Sequence, residues 1–171
     1  MVTTESLPTV VDAGPIIHLD ELGCLDLLCD LTPVVVPCLV LVEASRHRPL
    51  LNLQLFPDIE SVRVSDPIPD HIQQLGEDFD LGIGEMSALV YMTYHSCRFF
   101  ITDDAAARLA AEQLGWRVHG TVGLIVRAVR QKLRSREQVC DILSAIRSRS
   151  SLHISQDILD AAIRNVMTVR P

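Results

Sequence analysis

The chain has 171 residues, 48% of them apolar, and a formal net charge of −7. That length suggests one domain with a sizeable core, and no apolar run approaches the roughly 20 residues that span a bilayer. A protein this acidic does not grip nucleic acid by bulk charge, so such contact needs a local basic patch or acidic residues gathered for a metal.

Met1 to Pro8 is short and polar, without the basic start and apolar core of a secretion signal. The five cysteines (Cys24, Cys29, Cys38, Cys97 and Cys140) form no CxxC pair. They read as reduced thiols of a cytoplasmic protein rather than a disulfide framework or a zinc site. The six histidines are scattered singly, which reads as structural or solvent-facing.

In chain order, Thr9 to Val11 is an uninterrupted β-branched run that suits a strand covered on both faces. Asp12 follows, and Gly14-Pro15 turns the chain into a helix predicted over Ile16 to Leu28. Val34 to Val36 is a second buried strand ended by Pro37, with a helix over Cys38 to Arg46 that carries Glu43. Arg48 to Asp58 reads as a short helix or ordered loop, and Ser61 to Val64 as a third, weaker strand. After the connector Asp66 to Pro69 comes a helix from Asp70 to Phe79. A further helix, Glu85 to His95, is entered through Gly82 and Gly84.

Arg98 to Thr102 is a fourth strand with Asp103-Asp104 at its carboxyl end, and Ala105 to Leu114 is an alanine-rich helix closed by Gly115. Trp116 to His119 is a fifth strand, Gly120 to Gly123 a turn, and Leu124 to about Leu133 a helix. One or two terminal helices follow up to Val169, broken at Ser148 to Ser151. Strand and helix alternate throughout, which predicts a single α/β domain: a parallel sheet with helices on both faces, joined by right-handed crossovers. The core covers about residues 9–133, and a helical extension about residues 134–169.

Four acidic places stand out. Asp12 and Asp103-Asp104 end two strands, Glu43 follows a buried strand inside a helix, and Glu85 lies in a glycine-marked first turn. Each has a plain alternative. Asp12, Asp103 or Asp104 could be a helix N-cap, Glu85 could complement a helix dipole, and Glu43 could be a surface residue. If strands one and four are neighbours where a doubly wound sheet reverses direction, Asp12 and Asp104 face each other across the crevice. Carboxylates converging there repel unless a cation is bound, and Mg²⁺ or Mn²⁺ is the natural one for hard oxygen ligands. That arrangement serves phosphodiester hydrolysis.

These stretches carry a resemblance. Val-Val-Asp12-Ala-Gly-Pro, Val-Val-Val-Pro37 with Leu-Val-Glu43-Ala, Leu-Gly-Ile-Gly-Glu85, Phe-Ile-Thr102-Asp103-Asp104 and Gly120-Thr-Val-Gly123 are similar to the motifs of the PIN-domain family, in its VapC-like subgroup. The resemblance implies a three-layer α/β/α fold with a five-stranded parallel sheet of order 3-2-1-4-5, and a Mg²⁺- or Mn²⁺-dependent ribonuclease. By position Asp12, Glu43, Glu85 and Asp104 match the family's acidic quartet as catalytic and metal-binding residues. Asp103 is an extra candidate ligand, because the family leaves one residue between the Thr and the ligand Asp. Gly14 stands where many relatives have a hydroxyl or amide side chain. A haloacid-dehalogenase-like phosphatase would want a second Asp at Gly14, and a receiver domain a Lys after strand five; neither is present.

The basic run Arg127, Arg130, Lys132, Arg134 and Arg136 offers contacts for RNA phosphates, or else forms a solvated helix end complementing its dipole. The expected function is a metal-dependent endoribonuclease, the toxin of a toxin–antitoxin pair with a small antitoxin partner. The alternative is a PIN-like nucleic-acid or protein interaction module with little catalysis. Surplus leucine at Ile16–Leu28 and Leu50–Phe56 predicts a homodimer.

Overall fold

A computed structural model describes residues 7–168. The polar segment before Leu7 and the helix end predicted at Val169 lie outside the described residues. The sheet has five parallel strands in the order β3-β2-β1-β4-β5, where β1 is Thr9–Val11, β2 Val34–Pro37, β3 Ile59–Val62, β4 Phe99–Ile101 and β5 Val118–His119. This is the order that the family resemblance implies. β1 lies at the centre, paired through Thr9 with Val34 on one side and through Val11 with Ile101 on the other. The strand order reverses between β1 and β4, so the crevice at their carboxyl ends is the place where such sheets bind ligands.

Eight α-helices are described: α1 Ala13–Glu21, α2 Cys38–His47, α3 Asp70–Asp78, α4 Ile83–Tyr94, α5 Ala105–Gln113, α6 Thr121–Arg130, α7 Arg136–Arg149 and α8 Gln156–Thr168. None is long and apolar enough to cross a membrane. Alternation along the central strands feeds two apolar layers. Val11 and Ile101 face a core shared with α1, α6, α7 and α8, whereas Val10 and Phe100 face one built from α4 and α5. These four side chains are fully buried, each worth about 1.5–3 kcal/mol. Val139, Leu143, Ile146, Leu159 and Val166 of the C-terminal helices join the first of these cores.

Several element boundaries differ from the sequence expectation, among them the starts of α4 at Ile83 rather than Glu85 and of β5 at Val118 rather than Trp116. The helix predicted over Ile16 to Leu28 is two elements. α1 starts directly after Asp12, and a 3₁₀ segment follows at Leu25–Leu31. Gly23, at φ +67°, separates them. Its N–H bonds to Asp20 O and that of Cys24 to Leu19 O, the paired closure that a left-handed residue permits at a helix end. The leucine series continues across the break because both pieces bury against the same core. β3 lies two residues upstream of its predicted start, since pairing of Val34 with Ile59 and Pro37 with Val62 sets its register. α6 starts at Thr121 instead of Leu124, with Gly120 as its extended entry residue.

The break between α7 and α8 is tied back to α1. Glu21 Oε2 accepts from the Ser151 N–H at 2.7 Å and the Ser150 hydroxyl at 2.9 Å. The C-terminal pair of helices is thereby fixed to the element that begins directly after Asp12.

Candidate active site

Asp12 is 4% exposed at the carboxyl end of β1. Its N–H bonds to Ile101 O at 2.9 Å, which ties it to the end of β4. It occupies the N-cap position of α1, yet its side chain makes no cap hydrogen bond. Instead Oδ2 accepts from the Thr102 hydroxyl at 2.9 Å. Burial pushes the Asp12 carboxyl up to about 6; Glu43 and Asp104 add to the rise, while the Ala13 N–H and Thr102 hydroxyl oppose it. Among the described residues no cationic side chain pairs with it.

Glu85 lies in the first turn of α4, where Oε2 accepts from the Gly82 N–H at 2.6 Å. Burial pushes it up to about 7, with further increments from Asp12, Asp104 and Glu43. The helix-terminus reading of Glu85 therefore holds, and the same carboxylate also lies within the field of the other three acids. Glu43 reaches it from α2. A methyl group at Gly84 would stand 2.9 Å from Glu43 Oε2 and 3.7 Å from Val40 Cα, so the bare glycine lets α2 and α4 approach closely here. Glu43 is exposed, as its surface alternative required, but its carboxylate lies against the start of α4.

Asp104 is the N-cap of α5, accepting from the Ala107 N–H at 2.8 Å. Its own N–H donates to Thr102 Oγ1 at 3.1 Å. Thr102 is fully buried and orients both aspartates through one hydroxyl. Losing that hydroxyl would leave a buried acceptor and an N–H without their partner, about 1–3 kcal/mol. The signal for it was its place directly before the paired acids at a strand end.

Asp103 has different surroundings. Oδ2 meets His18 Nδ1 at 2.7 Å and the Thr121 hydroxyl, and Oδ1 accepts from the Thr121 N–H at 2.8 Å. Burial pushes this carboxyl up, but the bonds from His18 and Thr121 and the charge of His18 outweigh it and hold it below the usual carboxylate range. Both oxygens are engaged, and Asp103 joins α1, β4 and the start of α6 at one edge. His18 and Thr121 were missed as site residues: a lone histidine carries no spacing signal, and its partner lies 85 positions away. Gly14 borders this pair. A side chain there would begin 3.5 Å from His18 Cε1 and 3.7 Å from Asp103 Cβ, in ordinary contact with the pair.

The structure thus gathers Asp12, Glu43, Glu85 and Asp104 into one electrostatic neighbourhood. Among the described residues no three Asp, Glu, His or Cys side chains form a ready-made metal cage. Mg²⁺ keeps several waters and takes only one or two carboxylates plus substrate oxygens, so an open, all-oxygen set around an unpaired buried Asp12 fits that ion or Mn²⁺.

The basic run does not join this neighbourhood. Arg127 pairs with Asp30 at 2.6 Å and Arg134 with Asp26 at 2.6 Å, both on the 3₁₀ segment. Arg130 bonds Asn165 at 3.4 Å. α6 begins at Thr121 beside Asp103, and Arg130 ends it about 14 Å away. Lys132 is exposed beyond that end.

A family model described as a PIN domain matches residues 8–168 of the chain. No curated protein matches it.

Proposed function

Because the chain belongs to the PIN-domain family, we propose that it is a divalent-metal-dependent endoribonuclease acting at the acidic crevice between β1 and β4. The observation that supports this reading is Asp12: a carboxylate 4% exposed, without a cationic partner among the described residues, within the field of Glu43 and Asp104. Such a group is costly to bury unless something positive is brought to it. Asp12, Glu43, Glu85 and Asp104 would hold Mg²⁺ or Mn²⁺. When bound, that ion supplies charge neutralisation on the phosphoryl oxygens and acidifies water.

The chain's own groups have separate tasks in this reading. Thr102 holds Asp12 and the Asp104 backbone in register. Glu85 has Oε2 occupied by the Gly82 N–H, which leaves Oε1 as the oxygen it would offer the ion. Asp103, committed to His18 and Thr121, positions the end of β4, and Asp104 is the ligand of the pair. The ion-paired Arg127 and Arg134 brace the 3₁₀ segment.

Purified protein is expected to cleave single-stranded RNA with Mn²⁺ or Mg²⁺ and not with EDTA. Intact RNA under all three conditions would favour the interaction-module reading. We further propose the toxin role, with a small protein partner, and a cytoplasmic location.

A homodimer remains part of the proposal, on narrower grounds than leucine content. Leu25, Leu27, Leu28 and Leu31 are absorbed by the chain's own core, but Leu50 is 96% and Leu55 72% exposed, with Leu39 and Val42 of α2 also outward. Light scattering is expected to give twice the chain mass at micromolar concentration, falling toward one chain mass in Leu50→Lys, Leu55→Lys. A wild-type monomer would end this proposal.

A further inference from the structure

Asp103 fixes one nitrogen of His18 and leaves the other open. Side chains on a helix lean toward its amino end, so the His18 ring, in the second turn of α1, comes back over the first. A methyl group at Gly14 would stand 3.5 Å from its Cε1. Nδ1 meets Asp103 Oδ2 at 2.7 Å. Asp103 is held below the usual carboxylate range, and an ionised carboxylate only accepts. The hydrogen of this bond therefore belongs to Nδ1, and the lone pair of the neutral ring to Nε2.

Nε2 has no hydrogen-bond partner among the described residues. It is not enclosed either. The buried side-chain polar atom left without a partner among them is Thr9 Oγ1, at the opposite end of β1 from Asp12. The ring is thus clamped at one nitrogen and open to solvent at the other, with 12% of the side chain exposed.

The place of this nitrogen narrows what it meets. Gly14 is two positions after Asp12, and Asp103 is the chain neighbour of Asp104. The ring therefore borders the carboxyl ends of β1 and β4, on the side of α6, whose Thr121 shares the Asp103 carboxylate. The charges that raise Asp12 and Glu85 are those of the acidic quartet, without a contribution from His18. His18 flanks the acidic neighbourhood and does not join it. A neutral Nε2 accepts a hydrogen bond and has no hydrogen to give a phosphate oxygen. On the backbone of a strand laid along this edge, the hydroxyl that donates is the ribose 2′-OH, which DNA lacks.

We propose that His18 is a specificity-determining contact for RNA: Nε2 accepts from the 2′-OH of a nucleotide flanking the acidic crevice, and Asp103 fixes the ring for it. The inference rests on the nuclease reading for its substrate, but its test needs no cleavage. The probes are a fluorescein-labelled single-stranded RNA and the DNA of the same sequence with deoxyuridine for thymidine, bound in EDTA at pH 8 and followed by anisotropy. The variant is His18→Asn, whose amide nitrogen can still donate to Asp103 but which has no atom at the place of Nε2. His18→Gln is the rescue, because its longer side chain returns an amide oxygen to about that place.

Wild type is expected to bind the RNA about fivefold more tightly than the DNA, the size of one net hydrogen bond. In His18→Asn the RNA affinity should fall to that for DNA, while DNA affinity and the melting temperature stay unchanged. His18→Gln should regain part of the preference. A second measurement needs no variant: among RNAs with a single 2′-deoxy substitution, one position should account for most of the wild-type preference. An unchanged preference in His18→Asn would overturn the contact. So would equal losses for RNA and DNA, which a bracing residue or a phosphate contact would give, and so would a wild-type chain that binds neither probe or both alike. If the preference behaves as expected but no metal supports cleavage, the contact stands and the nuclease reading falls.

Discussion

Asp12→Asn is expected to lower metal-dependent RNA cleavage by about a thousandfold, the upper end of what one electrostatic group contributes, without lowering the melting temperature at pH 7. The two halves of this result have one cause. Asp12 is 4% exposed and its carboxyl is pushed from 3.8 to about 6. A group whose pKa is raised on folding binds protons more tightly in the native state. Its favourable contribution is complete below about pH 4 and is lost as pH rises through 6. At pH 7 the metal-free fold therefore holds an ionised Asp12 at a cost of about 3 kcal/mol.

Asparagine keeps the shape and can still accept the Thr102 hydroxyl, but it carries no charge. Relief of the buried charge is offset in part by an amide N–H₂ set against the Ala13 N–H. The fold should thus be no less stable, while the cation loses its most buried ligand. Expression of wild type should arrest growth in the toxin reading, and expression of the variant should not. Wild-type turnover in Asp12→Asn would remove Asp12 from the site, and a fall in melting temperature of about 10 °C or more, several kcal/mol for a chain of this size, would mark it as structural.

The parts of the fold that could be read in the sequence are those where one local pattern suffices. Thr9 to Val11, Val34 to Val36 and Phe99 to Ile101 are short, uncharged and rich in β-branched or aromatic residues, and each is a fully buried strand. Glu85 and Asp104 lie at helix starts that glycine or a preceding strand end announces, and both occupy those positions. What could not be read depends on partners distant in sequence. Gly23 splits α1 from the 3₁₀ segment, but the leucines on either side keep one apolar face and conceal the break. β3 carries only Ile59 as a buried residue, and its register comes from β2. Asp103 and Asp104 are chemically identical neighbours, and only His18 and Thr121, from α1 and α6, set them apart. The basic run left RNA contact and a solvated helix end both open, and Asp26 and Asp30, which neutralise two of its members, lie about a hundred positions earlier.

Mn²⁺ or Mg²⁺ is expected to raise the melting temperature by roughly 5–10 °C at pH 8, the shift that about 2.7 kcal/mol of ligand binding at a hundredfold excess over its dissociation constant produces in a chain of this size. The unfolded chain has no assembled site, so the ion stabilises only the native state. Its ligands must be ionised to bind. In the metal-free fold Asp12 titrates near 6 and Glu85 near 7, both pushed up chiefly by burial. The ion therefore competes with protons on both groups, and binding releases them between about pH 6 and 7.

The metal-free protein should itself lose stability as pH rises through that window, because both raised carboxyls then ionise in the folded state. Adding the ion reverses that trend, so the gap between the two melting curves should widen from almost nothing at pH 5 to its full size near pH 8. The control is Glu43→Gln, Asp104→Asn. Both residues are exposed, and asparagine is as good an N-cap for α5 as aspartate, so the double variant removes charge while keeping the fold. It should lose most of the metal-dependent rise. An equal rise in wild type and double variant, or one that does not shrink at pH 5, would place the ion elsewhere and end the case for the acidic crevice as the catalytic site.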